Sequence, residues 1–112
     1  MQIKELGHVV FFVRDLEKSV HFYRDILGFH QIEVPMRGGA LFSSGRTPHE
    51  LLLIEVGPNA PRPSKGLRAG LYHIGLKVGD TLDELKAAKA ELEEAGVTIV
   101  GMSDHTVTNS LY

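Results

Sequence analysis

The opening of the chain alternates as an extended strand would. In "LGHVVFFVRDL", Val9, Phe11 and Val13 fall on one face, and His8, Val10 and Phe12 on the other. The period then changes. Leu16, Val20, Tyr23 and Leu27 recur at helical spacing, Phe22 and Ile26 widen the stripe, Asp15 can cap the first turn and Gly28 can end the last. Three short strands are predicted next, "FHQIEV", "ALFSS" and "ELLLIEV", with Gly38-Gly39 and "SSGRTP" as the turns between them. Residues 57–70, "GPNAPRPSKGLRAG", interrupt the pattern with three prolines and three glycines. Arg62, Lys65 and Arg68 within them could mark an anion site, but the composition reads better as a solvated connector.

Beyond it the order begins again. "LYHIGLKV" predicts a strand and "DTLDELKAAKAELEEAG" a helix, with Thr81 and Glu84 as a capping box, Leu82, Leu85, Ala88 and Leu92 as the stripe, and Gly96 as the stop. "VTIVGM" and "VTNSLY" are the last two strand candidates. The order is therefore β-α-β-β-β, linker, β-α-β-β, which is an internal repeat. It predicts a single α+β domain over residues 1–112 built from paired βαβββ modules: module one at 1–56, the linker at 57–70, and an incomplete module two at 71–112 that lacks its last strand. Setting Leu6 against Leu71 brings His8 onto His73 and Asp15 onto Asp80, 65 residues apart in each case.

The repeat gives two of the histidines a shared meaning. Val9, Phe11 and Val13 suit the face covered by the helix, as do Ile74, Leu76 and Val78 in the second module. His8 and His73 then point away from the helices from equivalent places. If the two sheets curve together into a cup, both imidazoles face its hollow, and imidazole is a common donor to divalent first-row metals. Glu55, at the end of the fourth strand, is a weaker candidate for a third ligand. His21 falls off its helix stripe and His30 follows a helix stop. His49, after "TP", reads as a surface turn residue that could also reach a pocket. His105, between the last two strands, sits where loops meet the mouth of a cup.

Composition narrows the classes further. Charged residues make up 23% of the chain and the formal net charge is -2, so nothing draws it to nucleic acid or to an anionic membrane. With no cysteine, neither disulfides nor thiolate chemistry is available. "MQIKELGHVV" is too short and too quickly charged for a signal peptide, and no apolar run is long enough to span a bilayer. The expectation is a soluble, cytoplasmic protein.

"LGHVVFFVRDLEKSVHFYRDILGF" closely resembles the opening of the vicinal oxygen chelate superfamily, and "LYHIGLKVGD" resembles the start of its second module. The group includes glyoxalase I, extradiol dioxygenases, methylmalonyl-CoA epimerase, fosfomycin-resistance enzymes and bleomycin-binding proteins. The resemblance implies a curved, cup-like mixed sheet with helices outside, a homodimer, a small-molecule substrate, and His8 and His73 as metal ligands. It puts the third ligand, a glutamate, in a strand that would lie beyond residue 112. A longer natural chain, the first choice, or a second chain would then complete the site; without either, the protein would be inactive. "SDHTVTNSLY" looks most like the extradiol dioxygenases of the catechol 2,3-dioxygenase type. That likeness implies His105 and Tyr112 as catalytic residues, a catechol-like substrate with O2, and Fe(II) as the metal, with Mn(II), Zn(II) or Ni(II) as alternatives. A glyoxalase- or epimerase-type lyase or isomerase is the second reading, and would use Glu55. A metal-free, bleomycin-type binder is the third, and is poorly served by 7% aromatic residues and no tryptophan.

Overall fold

The structure, a computed structural model, describes residues 1–106 and 108–112. The chain divides into two compact units, Met1–Ser64 and Lys65–Tyr112.

In the first unit, β1 (Val9–Val13) lies parallel to β4 (Leu51–Glu55), in register from Val9 opposite Leu51 to Val13 opposite Glu55. β3 (Gly39–Ser43) runs antiparallel to β4, and β2 (His30–Ile32) antiparallel to β3, so the sheet order is β1-β4-β3-β2. A parallel pair needs a crossover. That crossover begins with α1 (Leu16–Val20), capped at Asp15, whose carboxylate accepts the Lys18 N–H at 3.0 Å.

The helical stripe predicts one α-helix to Leu27. Instead the chain widens into a π-helical turn over His21–Ile26, closed by Leu27 N–H donating to the Phe22 carbonyl at 3.0 Å. The widening coincides with Tyr23, whose ring sits 6.4 Å from each of Phe11, Phe29 and Phe42. Gly28 then turns the chain with φ +78°, which an L side chain rarely adopts.

Alternation decides what is buried. Phe42 and Leu53 are fully buried, Ala40 and Leu51 nearly so, and Phe11, Val13, Leu16, Val20, Tyr23 and Phe29 pack against them. Each fully buried side chain of this kind contributes on the order of 1.5–3 kcal/mol. Val10 and Phe12 face the other way and are exposed. The expected division of β1 into a helix face and an outer face is present.

The loop from β3 to β4 is organised around Glu50. Its carboxylate accepts the Ser44 N–H at 2.7 Å, the Ser44 hydroxyl at 2.9 and 3.0 Å, and Arg46 Nε at 3.1 Å, with longer bonds from Ser43 Oγ and from the Arg46 and Thr47 N–H groups. Ser43 Oγ also donates to the Thr47 carbonyl. Desolvation opposes the Glu50 charge, but the bonds from Ser44, Thr47 and Arg46 outweigh it and hold the carboxyl at about 2, against an ordinary 4.5.

The second unit has α2 (Leu82–Glu94) and one hairpin, β5 (Met102–Asp104) with β6 (Asn109–Leu111). The capping box forms as expected: Thr81 Oγ1 accepts the Glu84 N–H at 3.2 Å, and Glu84 accepts the Thr81 N–H at 2.9 Å. The strand predicted at 71–78 does not form a ladder among the described residues. Leu71, Tyr72, Leu76 and Val78 stay exposed there, so the segment buries too little to fix a register, and a strand needs a partner to satisfy its backbone. "VTIVGM" enters a strand only at Met102, although Val100 and Gly101 extend the pairing by donating to the Tyr112 carbonyl at 2.6 and 3.2 Å. "VTNSLY" pairs from Asn109; Val107 lies outside the described residues.

Two outcomes check this account. Phe42→Ala should cost about 3–5 kcal/mol of stability, measured by denaturant unfolding, because it empties a fully buried ring position. Glu50 has a depressed folded-state pKa, so its contribution is present above pH 4.5 and is lost as pH falls through about 2. Glu50→Gln should therefore unfold at a lower temperature than the parent at pH 7, and the two melting curves should converge towards pH 2.

Candidate functional site

His8 stands one residue before β1, where the ladder begins with Val9 N–H donating to the Glu50 carbonyl at 2.9 Å. Its ring is exposed, and no hydrogen bond engages it among the described residues. What surrounds it comes from the β3–β4 loop. Arg46 Nη2 donates to the carbonyls of Leu6 at 3.0 Å and Gly7 at 3.1 Å, while Nη1 meets Glu5 at 3.0 Å. The guanidinium so ties the approach to His8 to the Glu50 cluster. The imidazole of His49 lies flat on that of His8, with ring centroids 4.2 Å apart and planes 15° from parallel.

His49 is thus half-buried and packed on His8, not the surface turn residue its sequence context suggests. Its Nε2 is buried with no hydrogen-bond partner among the described residues, an arrangement that costs roughly 1–3 kcal/mol. The only sequence signal for it is its place immediately before Glu50, at the start of β4 and beside the start of β1. Arg46 carried no signal at all.

Glu55 is placed elsewhere. It sits opposite Val13, five residues along the ladder from the level of His8, which is roughly 16 Å at a strand's rise per residue. Its carboxylate accepts the Leu16 N–H at 2.7 Å, on the helix side of the sheet, where it satisfies the first turn of α1. The shallow hollow of about 700 Å³ that Glu55 shares with Leu16, Val20, His21, Arg24 and Gln31 lies on that same side. Its polar groups bond to one another: His21 to Asp25 at 2.9 Å, Arg24 to Asp25 at 2.7 Å and to Gln31 at 3.0 Å. These pairs, led by the Arg24 hydrogen bond, hold Asp25 at about 2. His30 is exposed at the start of β2.

In the second unit three residues singled out from the sequence meet. His105 Nε2 lies 3.1 Å from the Tyr112 hydroxyl, and the ring of His73 meets Tyr112 edge to face at 5.8 Å and 69°. Ser103, which the sequence did not point to, completes the group: its Oγ is 2.7 Å from His105 Nε2 and 3.4 Å from the Tyr112 hydroxyl. The hairpin sets this geometry. Ser103 is in β5, Tyr112 follows β6 and pairs with Gly101, and His105 begins the turn, its N–H bonded to the Thr108 carbonyl at 2.8 Å. Thr106, next to it, has φ +69°, a strained left-handed conformation for a β-branched residue, held by an Asp104 bond to its N–H at 2.8 Å. A phenol, an imidazole and a hydroxyl in mutual hydrogen-bond reach can hold and pass a proton.

A divalent metal would draw its donors from these side chains. His8 and His73 offer the right donor type, imidazoles not taken up by hydrogen bonds among the described residues. Within neither unit do three His, Asp or Glu side chains gather for one ion among the described residues. The residues present fit the imidazole half of a metal site, not a complete one.

Comparison with known proteins agrees with this reading of the fold. Residues 5–112 match the family model of the Glyoxalase/Bleomycin resistance protein/Dioxygenase superfamily. Catechol-2,3-dioxygenase of Bacillus subtilis is 34% identical over 107 residues, covering 96% of this chain but 36% of the relative; the chain spans about a third of that protein's length. A glyoxalase family protein from Enterococcus faecalis superposes with a TM-score of 0.75 at 24% identity, covering 99% of this chain and 89% of that one. A variant of the fosfomycin resistance protein FosX from Listeria monocytogenes, solved with Mn(II) and a dihydroxypropylphosphonic acid, superposes at 0.66 with 15% identity over 99% and 85% of the two chains. The two structures bear on the fold alone. No helix among the described residues is long and apolar enough to cross a membrane. With a histidine before its first strand, a mixed α+β fold and a match over residues 5–112, this chain belongs to the Glyoxalase/Bleomycin resistance protein/Dioxygenase superfamily.

Proposed function

We propose that the chain carries part of an extradiol-type dioxygenase site that acts with O2 on a catechol-like aromatic. His8 and His73 are its imidazole donors to a divalent metal, with Fe(II) the first choice, and the functional protein is a homodimer. The observation that carries the reading is the hydrogen-bonded group of His105, Tyr112 and Ser103 against the ring of His73. A metal ligand needs proton-handling groups at its side if the substrate is a diol that must lose protons on binding. The 34% identity to a catechol-2,3-dioxygenase supports the same substrate class.

A divalent metal bound there would supply a shared binding point for the two catechol oxygens and O2. The rest falls to the chain. The Tyr112 hydroxyl donates to a substrate oxygen and fixes its orientation. His105 Nε2 takes a proton from the substrate and returns it later, exchanging its hydrogen bonds with Ser103 Oγ and the Tyr112 hydroxyl as it does so. A lyase or isomerase of the glyoxalase kind would want Glu55 free, and its carboxylate is engaged by the Leu16 N–H.

Oxygen uptake by the full-length protein, loaded with Fe(II) and offered a panel of catechols, is the direct measurement. Uptake is expected, and His105→Gln or Tyr112→Phe should lower kcat by about 10²- to 10⁴-fold, the range for a lost acid–base group. Absence of uptake with every catechol would remove the dioxygenase assignment. Metal analysis provides a second check: the His8→Ala, His73→Ala double variant should purify with far less metal than the parent, and equal content would sink the ligand assignment.

A further inference from the structure

We infer that the β3–β4 loop is a preset frame for the imidazole of His8, with Arg46 holding its backbone and His49 holding the plane of its ring. The inference rests on His8 being a metal donor, and names the residues that would make it a good one.

A donor at this position starts with a handicap. His8 lies just outside the ladder, its ring is exposed, and no hydrogen bond among the described residues fixes its orientation. Strand ends of this kind fray, and a freely turning imidazole loses rotamer freedom each time it binds an ion. A metal-binding imidazole is usually steadied through its second ring nitrogen, by a carboxylate or a carbonyl. His8 has a face contact instead.

The contacts from the loop are complementary. Arg46 Nη2 bridges the carbonyls of Leu6 and Gly7, the two residues before His8, and the Glu50 carbonyl holds the N–H of Val9, the residue after it. The peptide on each side of His8 is therefore tied to the Arg46–Glu50 pair, whose Nε–Oε1 separation is 3.1 Å. Above the backbone, the near-parallel ring of His49 at 4.2 Å restricts the tilt of the His8 plane while leaving its nitrogens uncommitted. The lone pair of an imidazole lies in the ring plane, so fixing the plane confines the direction of donation to that plane. His49 itself is seated by its backbone, with the Thr47 hydroxyl donating to the His49 carbonyl at 3.1 Å. The Nε2 of His49, buried and without a partner among the described residues, fits a ring that serves through its face.

This makes His49 and Arg46 positioning residues, and separates the ring of His49 from its nitrogens. The test uses NMR of the full-length protein without metal, then titration with Co(II). The His8 ring protons should be shifted upfield by the His49 ring current and its side-chain couplings should report one rotamer. His49→Phe, which keeps a flat ring and removes the nitrogens, should preserve both signatures and leave Co(II) affinity unchanged. His49→Ala should average the rotamers and weaken Co(II) binding about 10-fold, as loss of an orienting neighbour does. Arg46→Gln should speed amide exchange at residues 7–9. A single His8 rotamer in His49→Ala would overturn the inference. So would loss of Co(II) affinity in His49→Phe with the rotamer intact, because His49 would then be a ligand. If the parent binds no Co(II), the metal assignment of His8 fails, while the rotamer result still decides the frame.

Discussion

The parallel pairing of β1 with β4 governs the first unit. Burial at Leu51 and Leu53 commits the odd-numbered residues of both strands to the helix side, where Phe11 and Val13 meet α1 and Tyr23. A strand's period of two leaves no choice for the even-numbered residues. His8 is even, so the force that buries Phe11 also turns the imidazole outwards. The same rule sends Glu55 to the helix side, where the N-terminus of α1 receives its carboxylate. Shifting this pairing by one residue would exchange the two faces together, bringing Phe12 inside and His8 with it.

How much of this could be read from sequence follows from how local each signal is. The faces of β1, the Asp15 cap and the Thr81–Glu84 box each depend on residues a few positions apart, and each is present. The π-helical turn at His21–Ile26 was not legible, because it arises where Tyr23 packs among rings contributed by β1 and β3. The strand expected at 71–78 misled for a related reason. Its composition suits a strand, but composition supplies no partner, and the hydrogen bonds of a strand belong to a pair.

The candidate site shows the same limit. His8, His73, His105 and Tyr112 were visible from the repeat and from the family resemblance, and the last three meet in the second unit. Ser103 and Arg46 were not, and His49 only as a turn residue that could reach a pocket. Ser103 matters because strand pairing places it beside Tyr112, nine residues on, and Arg46 because it reaches back 40 residues to Leu6. The turn "TPHE" points to a surface position, whereas the surroundings of His49 are set by the start of β1. Supporting residues of this kind have no motif of their own; they are defined by what the fold brings to them.

The two histidine environments differ in a way that suits different chemistry. Around His8 the partners are anchored in a loop whose carboxylate takes bonds from Ser43, Ser44, Arg46 and Thr47, and the contact with the ring itself is a flat stack. Such a contact fixes the ring plane and leaves the nitrogens available. Around His105 and Tyr112 the contacts are exposed hydrogen bonds along a single short hairpin. Water can replace bonds of that kind at little cost, since the net worth of each is on the order of 1 kcal/mol. A group that must accept a proton from one partner and return it to another has to change partners, so weak and exchangeable bonds are the appropriate setting. The two settings therefore answer different physical demands: the loop around His8 preserves the plane of a ring, and the hairpin around His105 lets hydrogen bonds be exchanged.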